Sequence, residues 1–348
     1  MSVRTSTRLA YNFVKPLQMS ARKPSLLSSQ TRFKNISQLS KSSTALGFDM
    51  GHSEGIKTVP LTREKYNTMT PSMQKLTLMD KVVVLAGGAR GLGNCMSRAC
   101  VEAGARAIII VDTDKEDGEL AVTELREAMG SKISVDFFLT DVRNSVAVSE
   151  AIQAIVRKHG APDILINSAG IADSNLPAES YKIHMWRRMI DINLTGSFIV
   201  SQAVAKAMIA EQNGGSIILI ASMSGGIVNY PQEQSCYNAS KAGVIQLGKS
   251  LAAEWAKHSI RVNCISPGWY HLGKCKNWAN GVVPGYMDTT LNQVPILDAQ
   301  KKIWKSLTPQ NRLGDVGDLN GLAIFLASEA SGFMTGSNIV IDGGYTLY

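Results

Sequence analysis

From Lys81 onward the chain alternates short apolar runs with longer stretches whose apolar residues recur every three to four positions. The runs are "KVVVLAG" (81–87), "AIIIVD" (107–112), "VDFFLTD" (135–141), "DILINSAG" (163–170), "SIILIAS" (216–222), "RVNCIS" (261–266) and "NIVID" (338–342). Each is nearly continuous in Val, Ile and Leu, the pattern of strands covered on both faces; a strand with one wet face would alternate. Between them, stretches such as "EDGELAVTELREAM" and "KAGVIQLGKSLAAEWAKH" carry helical spacing. Strands alternating with helices predict an α/β fold, a doubly wound parallel sheet of Rossmann type with seven strands. With no internal repeat and no second shift in composition, residues 80–348 read as one catalytic domain.

Composition refines this picture at the N-terminus. An apolar content of 45% is ample for a large core, yet the longest apolar runs, such as Ala107–Val111, fall far short of the about 18 residues that cross a bilayer. The net charge of +8 would suggest nucleic acid or an anionic membrane. Eight of the cations, however, are Arg4, Arg8, Lys15, Arg22, Lys23, Arg32, Lys34 and Lys41, and no acid precedes Asp49, so residues 49–348 are neutral and nucleic-acid binding loses its support. Residues 1–48 are Arg- and Ser-rich and acid-free, the composition of a transit peptide to the mitochondrial matrix. A basic disordered tail on a cytoplasmic protein is the alternative. Residues 49–79 show no strong period and read as a loosely attached lead-in. Five cysteines (Cys95, Cys100, Cys236, Cys264 and Cys275) are odd in number and form no CxxC pair, so they read as reduced thiols with no disulfide or metal role.

The first strand runs into "AGGARGLG", with Gly87, Gly91 and Gly93. Glycines at a strand-to-helix turn let backbone approach a pyrophosphate, which the helix N-terminus then stabilises. Asp112 ends the second strand, where a carboxylate can accept the ribose hydroxyls and repel a 2′-phosphate, favouring NAD over NADP. Arg90 pulls the other way, since a cation beside the turn can contact a phosphate. Asp141 and Val142, after the third strand, are placed to hold the adenine edge by side chain and backbone.

"YNASK" puts Tyr237 and Lys241 four residues apart, on one helix face. A phenol ionises near about 10; a neighbouring ammonium favours the phenolate and brings it toward use as a base. The spacing alone is unspecific, because "YNFVK" (Tyr11 to Lys15) repeats it in the leader. Tyr237 differs in its company: a serine-rich strand end upstream and a nucleotide turn before that.

Gly87, Gly91 and Gly93, "NSAG" at 167–170, Asn193 within "DINLTGSF", Ser222, and Tyr237 with Lys241 together resemble the short-chain dehydrogenase/reductase family over about residues 78–348. The resemblance implies a nicotinamide cofactor, a homotetramer or homodimer, and a catalytic set of Asn193, Ser222, Tyr237 and Lys241. It also implies cofactor contacts at Leu92, Asn167, Ala169, Gly170, Pro267, Gly268 and Thr289, beside those already named. Two departures are Ala86, where threonine is common, and Ser168, where a second asparagine is usual; both positions support the turn or strand. The family's serine most often stands thirteen before the tyrosine, which is Ser224, but the strand-end pattern of "SMSG" leads with Ser222. Ser222 is the assignment and Ser224 the fallback. Ser222 then holds the alcohol oxygen and Tyr237 takes its proton. Lys241 serves the tyrosine and the nicotinamide ribose, and Asn193 positions a water.

The segment from 214 to 268 is similar to fungal-type polyol and ketose dehydrogenases, which implies oxidation of a C5 or C6 polyol to a 2-ketose, most narrowly D-arabinitol to D-ribulose. Asn229, Gln232, Glu233 and Gln234 could partner several hydroxyls. A reductase of 3-oxoacyl thioesters, a sorbose or mannitol dehydrogenase, and a non-enzymatic NAD-binding scaffold are the alternatives. One anomaly remains: Pro267-Gly268 recurs as Pro284-Gly285, and removing 269–285 restores "RVNCISPGYMDTTLN", which brings Thr289 into register. Residues 269–285 therefore read as a translated intron, or else as a lid insertion carrying Trp269, Tyr270 and Trp278.

Overall fold

The computed structural model describes residues 59–129, 133–173, 175–271 and 294–348. In chain order it forms α1 (Arg63–Thr68), α2 (Pro71–Lys75), β1 (Val82–Ala86), α3 (Gly91–Glu102), β2 (Ala107–Asp112), α4 (Lys115–Met129) and β3 (Ser134–Leu139). Next come α5 (Ser145–His159), β4 (Ile164–Asn167), α6 (Ile183–Ile190), α7 (Gly196–Glu211), β5 (Gly215–Ile220), α8 (Ser235–Trp255) and β6 (Ile260–Pro267). The chain ends with β7 (Tyr270–His271), α9 (Val294–Leu307), β8 (Gly314–Asp315), α10 (Asn320–Ala327) and β9 (Asn338–Ile341). All seven predicted runs are strands of one parallel sheet in the order β3-β2-β1-β4-β5-β6-β9.

Because β1 to β3 step outward in one direction and β4 to β9 in the other, the order reverses between β1 and β4. The crevice outside their carboxyl ends is where such sheets bind ligands. Continuous apolar strands make this possible, since alternate residues serve two different layers. Val83 and Leu85 face one core, with Ile108, Ile110, Leu125 and Leu326. Val82, Val84 and Ala86 face the other, with Ile109, Val200, Val204, Met208 and Leu251. Edge strand β3 departs from the pattern: Leu139 is 58% exposed, because only one neighbouring strand and part of one layer cover it.

The helix that continues from Ile183 to Glu211 is long and apolar enough, by composition, to cross a bilayer. Here it is a core helix, with Val200, Val204, Ala205 and Met208 buried on the sheet. Residues 59–79 form α1 and α2 and then deliver Leu78, fully buried, into the first core. The lead-in is thus docked from about Leu61, whose N–H donates to the Glu102 carbonyl at 3.3 Å. The leader, Cys275, Trp278, the second Pro-Gly and Thr289 lie outside the described residues.

Candidate active site

A cavity of about 590 Å³ opens at the β1/β4 reversal and runs across the carboxyl ends of the strands. Its first wall is the glycine turn: Gly87, Arg90, Gly91, Leu92 and Gly93 all line it. The turn is tight enough to exclude side chains. A Cβ on Gly93 would stand 2.2 Å from the Gly87 carbonyl oxygen, and one on Gly87, which has φ +75°, would stand 2.6 Å from the Ala169 nitrogen. Ser168 closes the turn from β4, its hydroxyl 3.0 Å from the carbonyl oxygens of both Ala86 and Gly87. Bare backbone at the start of α3 is a cradle suited to a pyrophosphate, so the residues present fit a dinucleotide.

Asp112 stands at the end of β2 on the same cavity. One carboxylate oxygen accepts from Ala89 N–H at 3.1 Å, and the other from Thr113 N–H at 2.7 Å and Asp114 N–H at 3.3 Å. Arg90 does not hang free: its Nη1 lies 3.0 Å from Asp117 and 3.4 Å from Asp114. Asp141 and Val142 line the cavity as expected, but the Asp141 carboxylate is already gripped by Arg143, with Nε at 3.0 Å from both oxygens and Nη2 at 2.6 Å from one. Those hydrogen bonds hold its carboxyl below the usual carboxylate range. Arg143, which sequence reasoning missed, lines the cavity beside Asp141.

At the other end Ser222, Tyr237 and Lys241 converge from β5 and α8, with Ser224, Gln234, Pro267 and Gly268 beside them. Tyr237 sits in the first turn of α8, a 21-residue helix whose N-terminal dipole favours negative charge there. The Lys241 ammonium is 5.7 Å from the centre of the Tyr237 ring and donates to the Ile220 carbonyl at 2.8 Å. Lys241 is 6% exposed, and burial pulls its ammonium down to about 8. Ala169 and Gly170 line the cavity opposite; a Cβ on Gly170 would come within 3.5 Å of the Lys241 nitrogen.

The two serines have different duties. Ser222 Oγ accepts from the Ser224 N–H at 3.1 Å and caps the short turn that follows β5. Ser224 Oγ instead accepts from the Gln234 amide at 3.3 Å. Two asparagines stand behind the cavity wall and not on it. Asn193 is wholly buried in a π-helical turn, Asp191–Thr195, between α6 and α7. Its Oδ1 accepts from Ile171 N–H at 2.8 Å, and its Nδ2 donates to Ile171 O at 2.9 Å and Ser240 Oγ at 3.0 Å. Asn167 is buried at the end of β4 and donates to Ser197 O at 3.4 Å, with its own Oδ1 unpartnered. Of the polar loop, Gln234 reaches the cavity, whereas Asn229 and Gln232 are buried beside it with both amide atoms of each unpartnered.

Just past β6, Trp269 also lines the cavity and stacks on Trp304 of α9, ring centres 4.1 Å apart and 7° from parallel. Tyr270 pairs in register with Gly314 and donates its hydroxyl to Ile341 O at 2.9 Å. Sequence reasoning named these aromatics as a shield but could not find Trp304, thirty-five residues on. Among the described residues no group of three His, Cys, Asp or Glu is placed to hold a metal ion. Cys95, Cys100, Cys236 and Cys264 are not in disulfides, and burial pushes the Cys100 and Cys264 thiols up to about 12.

Comparison with known proteins agrees with this geometry. The short chain dehydrogenase family model matches residues 81–277, and a second, described as enoyl-(acyl carrier protein) reductase, matches 270–346. A D-arabinitol 2-dehydrogenase [ribulose-forming] of Candida albicans is 38% identical over 294 residues, 81% of this chain and 98% of the relative. An NADP-dependent mannitol dehydrogenase of Hypocrea jecorina is 37% identical, covering 78% of this chain and 94% of its own. The crystal structure of a gluconate 5-dehydrogenase from Burkholderia cenocepacia in complex with NADP and tartrate superposes with TM-score 0.69 at 32% identity, over 80% of this chain and 99% of that one.

Proposed function

We propose that this chain, which belongs to the short-chain dehydrogenase/reductase family, oxidises a secondary alcohol of a polyol to the 2-ketose, with D-arabinitol to D-ribulose and NAD as the leading pair. Membership makes it an oxidoreductase that acts on CH–OH groups with a nicotinamide cofactor. The observation that carries the reading is Lys241: a buried ammonium with no carboxylate at ion-pair distance among the described residues, set beneath Tyr237 in the same cavity as Asp112. Such a charge is stabilised when the neighbouring phenol gives up its proton.

In this reading Ser222 Oγ holds the alcohol oxygen while the Tyr237 oxygen takes its proton. Lys241 stabilises the phenolate so formed and reaches toward the nicotinamide ribose. A nicotinamide held in this cavity would supply the acceptor for the hydride that leaves the same carbon. Asn193 acts at one remove: by fixing Ile171 and Ser240 it holds the cavity wall and the first turns of α8 in place. Gln234 supplies a polar contact for a substrate hydroxyl, and Trp269 an apolar face for its carbon chain. The names of the relatives, which include polyol dehydrogenases and a sorbose reductase, support the substrate class. Asp112 supports NAD.

The test is NADH formation by the full chain, as written and with residues 269–285 deleted, on D-arabinitol, D-mannitol and sorbitol. Turnover of D-arabinitol with NAD is expected; no turnover of any polyol, together with NADPH oxidation on a 3-oxoacyl thioester, would sink the reading. The deletion addresses our further reading that 269–285 is a translated intron. In sequence its removal brings Tyr286, another aromatic, directly after Gly268, where Trp269 now meets Trp304. Transcripts that carry the segment, or full activity only with it present, would make it a lid instead.

The leader's mitochondrial address and a homotetrameric or homodimeric state belong to the same proposal. Residues 1–48 fused to a reporter should direct it to mitochondria, and a diffuse cytoplasmic reporter would reject the address. A monomeric mass by light scattering would reject the assembly.

A further inference from the structure

On the Asp112 side of the cavity two carboxylates stand behind the cation that faces the cofactor's adenosine end. Arg90 lines the cavity and, as the residue before α3, is placed to meet a phosphate on the adenosine ribose. Its guanidinium is turned instead to Asp117, at 3.0 Å, and Asp114, at 3.4 Å. These two acids form one unit, because Asp114 Oδ1 accepts the Asp117 N–H at 3.1 Å at the start of α4. Asp112 is separately anchored by three backbone N–H groups. An arginine fork matches a phosphate better than any other side chain does, so a bare Arg90 would welcome NADP despite Asp112.

We propose that Asp114 and Asp117 are positioning residues for cofactor choice: they capture Arg90 and withhold it from the 2′-phosphate of NADP, so that selectivity for NAD rests on three carboxylates and not on Asp112 alone. This deepens the NAD reading above and rests on it. The Arg90, Asp114 and Asp117 side chains are 41%, 38% and 29% exposed, so each ion pair by itself is weak. The capture works because it is double: a phosphate that draws Arg90 away leaves two uncompensated carboxylates beside its own negative charge, next to Asp112.

The experiment measures dissociation constants of NADH and NADPH by tryptophan fluorescence quenching on the full chain. It uses the unaltered protein, Asp117→Asn, Asp114→Asn with Asp117→Asn, the same pair with Arg90→Ala, and Asp112→Ser. Asparagine is chosen because it keeps the side-chain acceptor that starts α4. In the double variant the NADPH-to-NADH ratio of dissociation constants should fall about tenfold, as two released pairs of modest strength imply. The single variant should show about a third of that change. Most of the gain should vanish when Arg90→Ala is added. An unchanged ratio in the double variant overturns the proposal, and so does a gain that survives Arg90→Ala, since the acids would then act by repulsion alone. If Asp112→Ser admits NADPH while the double variant does not, the NAD reading stands and the capture falls. Equal binding of NADPH and NADH by the unaltered chain overturns both.

Discussion

Asp136 in β3 and Lys241 in α8 are both charged groups drawn out of water, and their surroundings are opposite. Asp136 has a full set of partners: Lys158 Nζ at 2.7 Å, His159 Nε2 at 2.6 Å and Arg126 at 3.9 Å. Burial alone would raise its carboxyl, yet the hydrogen bonds from Lys158 and His159 outweigh that and hold it below its ordinary range. Lys241 donates to a single carbonyl, and its burial outweighs the opposing influence of Cys264. Asp136 pins edge strand β3 to the end of α5, and the pairing consumes its charge. In the proposed reaction Lys241 keeps a charge in reserve at the cavity for the phenolate that Tyr237 would become. A buried charge with counter-charges around it holds a fold together; one left waiting marks where chemistry happens.

The sharpest way to break this contrast is at the group Lys241 serves. Tyr237→Phe should lower kcat by about 10³-fold, within the range for lost general acid–base catalysis, while NADH still binds by fluorescence. Retention of a tenth of the activity would remove Tyr237 from the proton path. Next in size, Ser222→Ala should cost about 10²-fold in kcat, as for loss of a donor to a reacting oxygen, and Ser224→Ala about threefold at most. The reverse order would transfer the role to Ser224.

The pH dependence follows from the direction of each shift. Lys241 is lowered from 10.5 to about 8 in the fold, so between these values the native state binds fewer protons than the unfolded chain. Its penalty is full below pH 8 and is relieved as pH rises toward 10.5. Urea unfolding of the cofactor-free chain should therefore gain on Lys241→Met by on the order of 3 kcal/mol across that window; parallel curves would mean that Lys241 is not desolvated. Asp136 behaves in the opposite sense. Its lowered carboxyl stabilises the fold above the ordinary carboxylate range and loses that contribution as pH falls through its folded value. Asp136→Ala should cost about 1–2 kcal/mol at neutral pH, converge with wild type in acid, and leave kcat/KM unchanged. A fall in kcat/KM would erase the distinction between the two charges.

The strands were legible because a two-sided strand needs apolar residues at every position, a demand written locally in "KVVVLAG" and "SIILIAS". The glycine turn was legible for the same reason, since a backbone cradle is set by spacing a few residues long, whereas the Tyr237–Lys241 spacing recurs at Tyr11–Lys15 and only its company singled it out. Asn193 was found by resemblance, but its place behind the wall was not, because its partners Ile171 and Ser240 come from other elements. Arg90 could be read as a phosphate ligand from sequence; only α4 folding back beside the glycine turn shows it held by Asp114 and Asp117.

By itself, then, the chain determined the parallel doubly wound sheet and the turn at Gly87–Gly93, properties of short-range periodicity and spacing, while the Ser222, Tyr237 and Lys241 set came from resemblance. Tertiary structure alone decided which of its charges are satisfied. Whether Arg90 is free or held by Asp114 and Asp117, whether Lys241 meets a carboxylate or only a carbonyl, and which aromatic faces Trp269 depend on groups far apart in sequence. Electrostatic and stacking energies fall off over a few ångströms, so no pattern along the chain could report them.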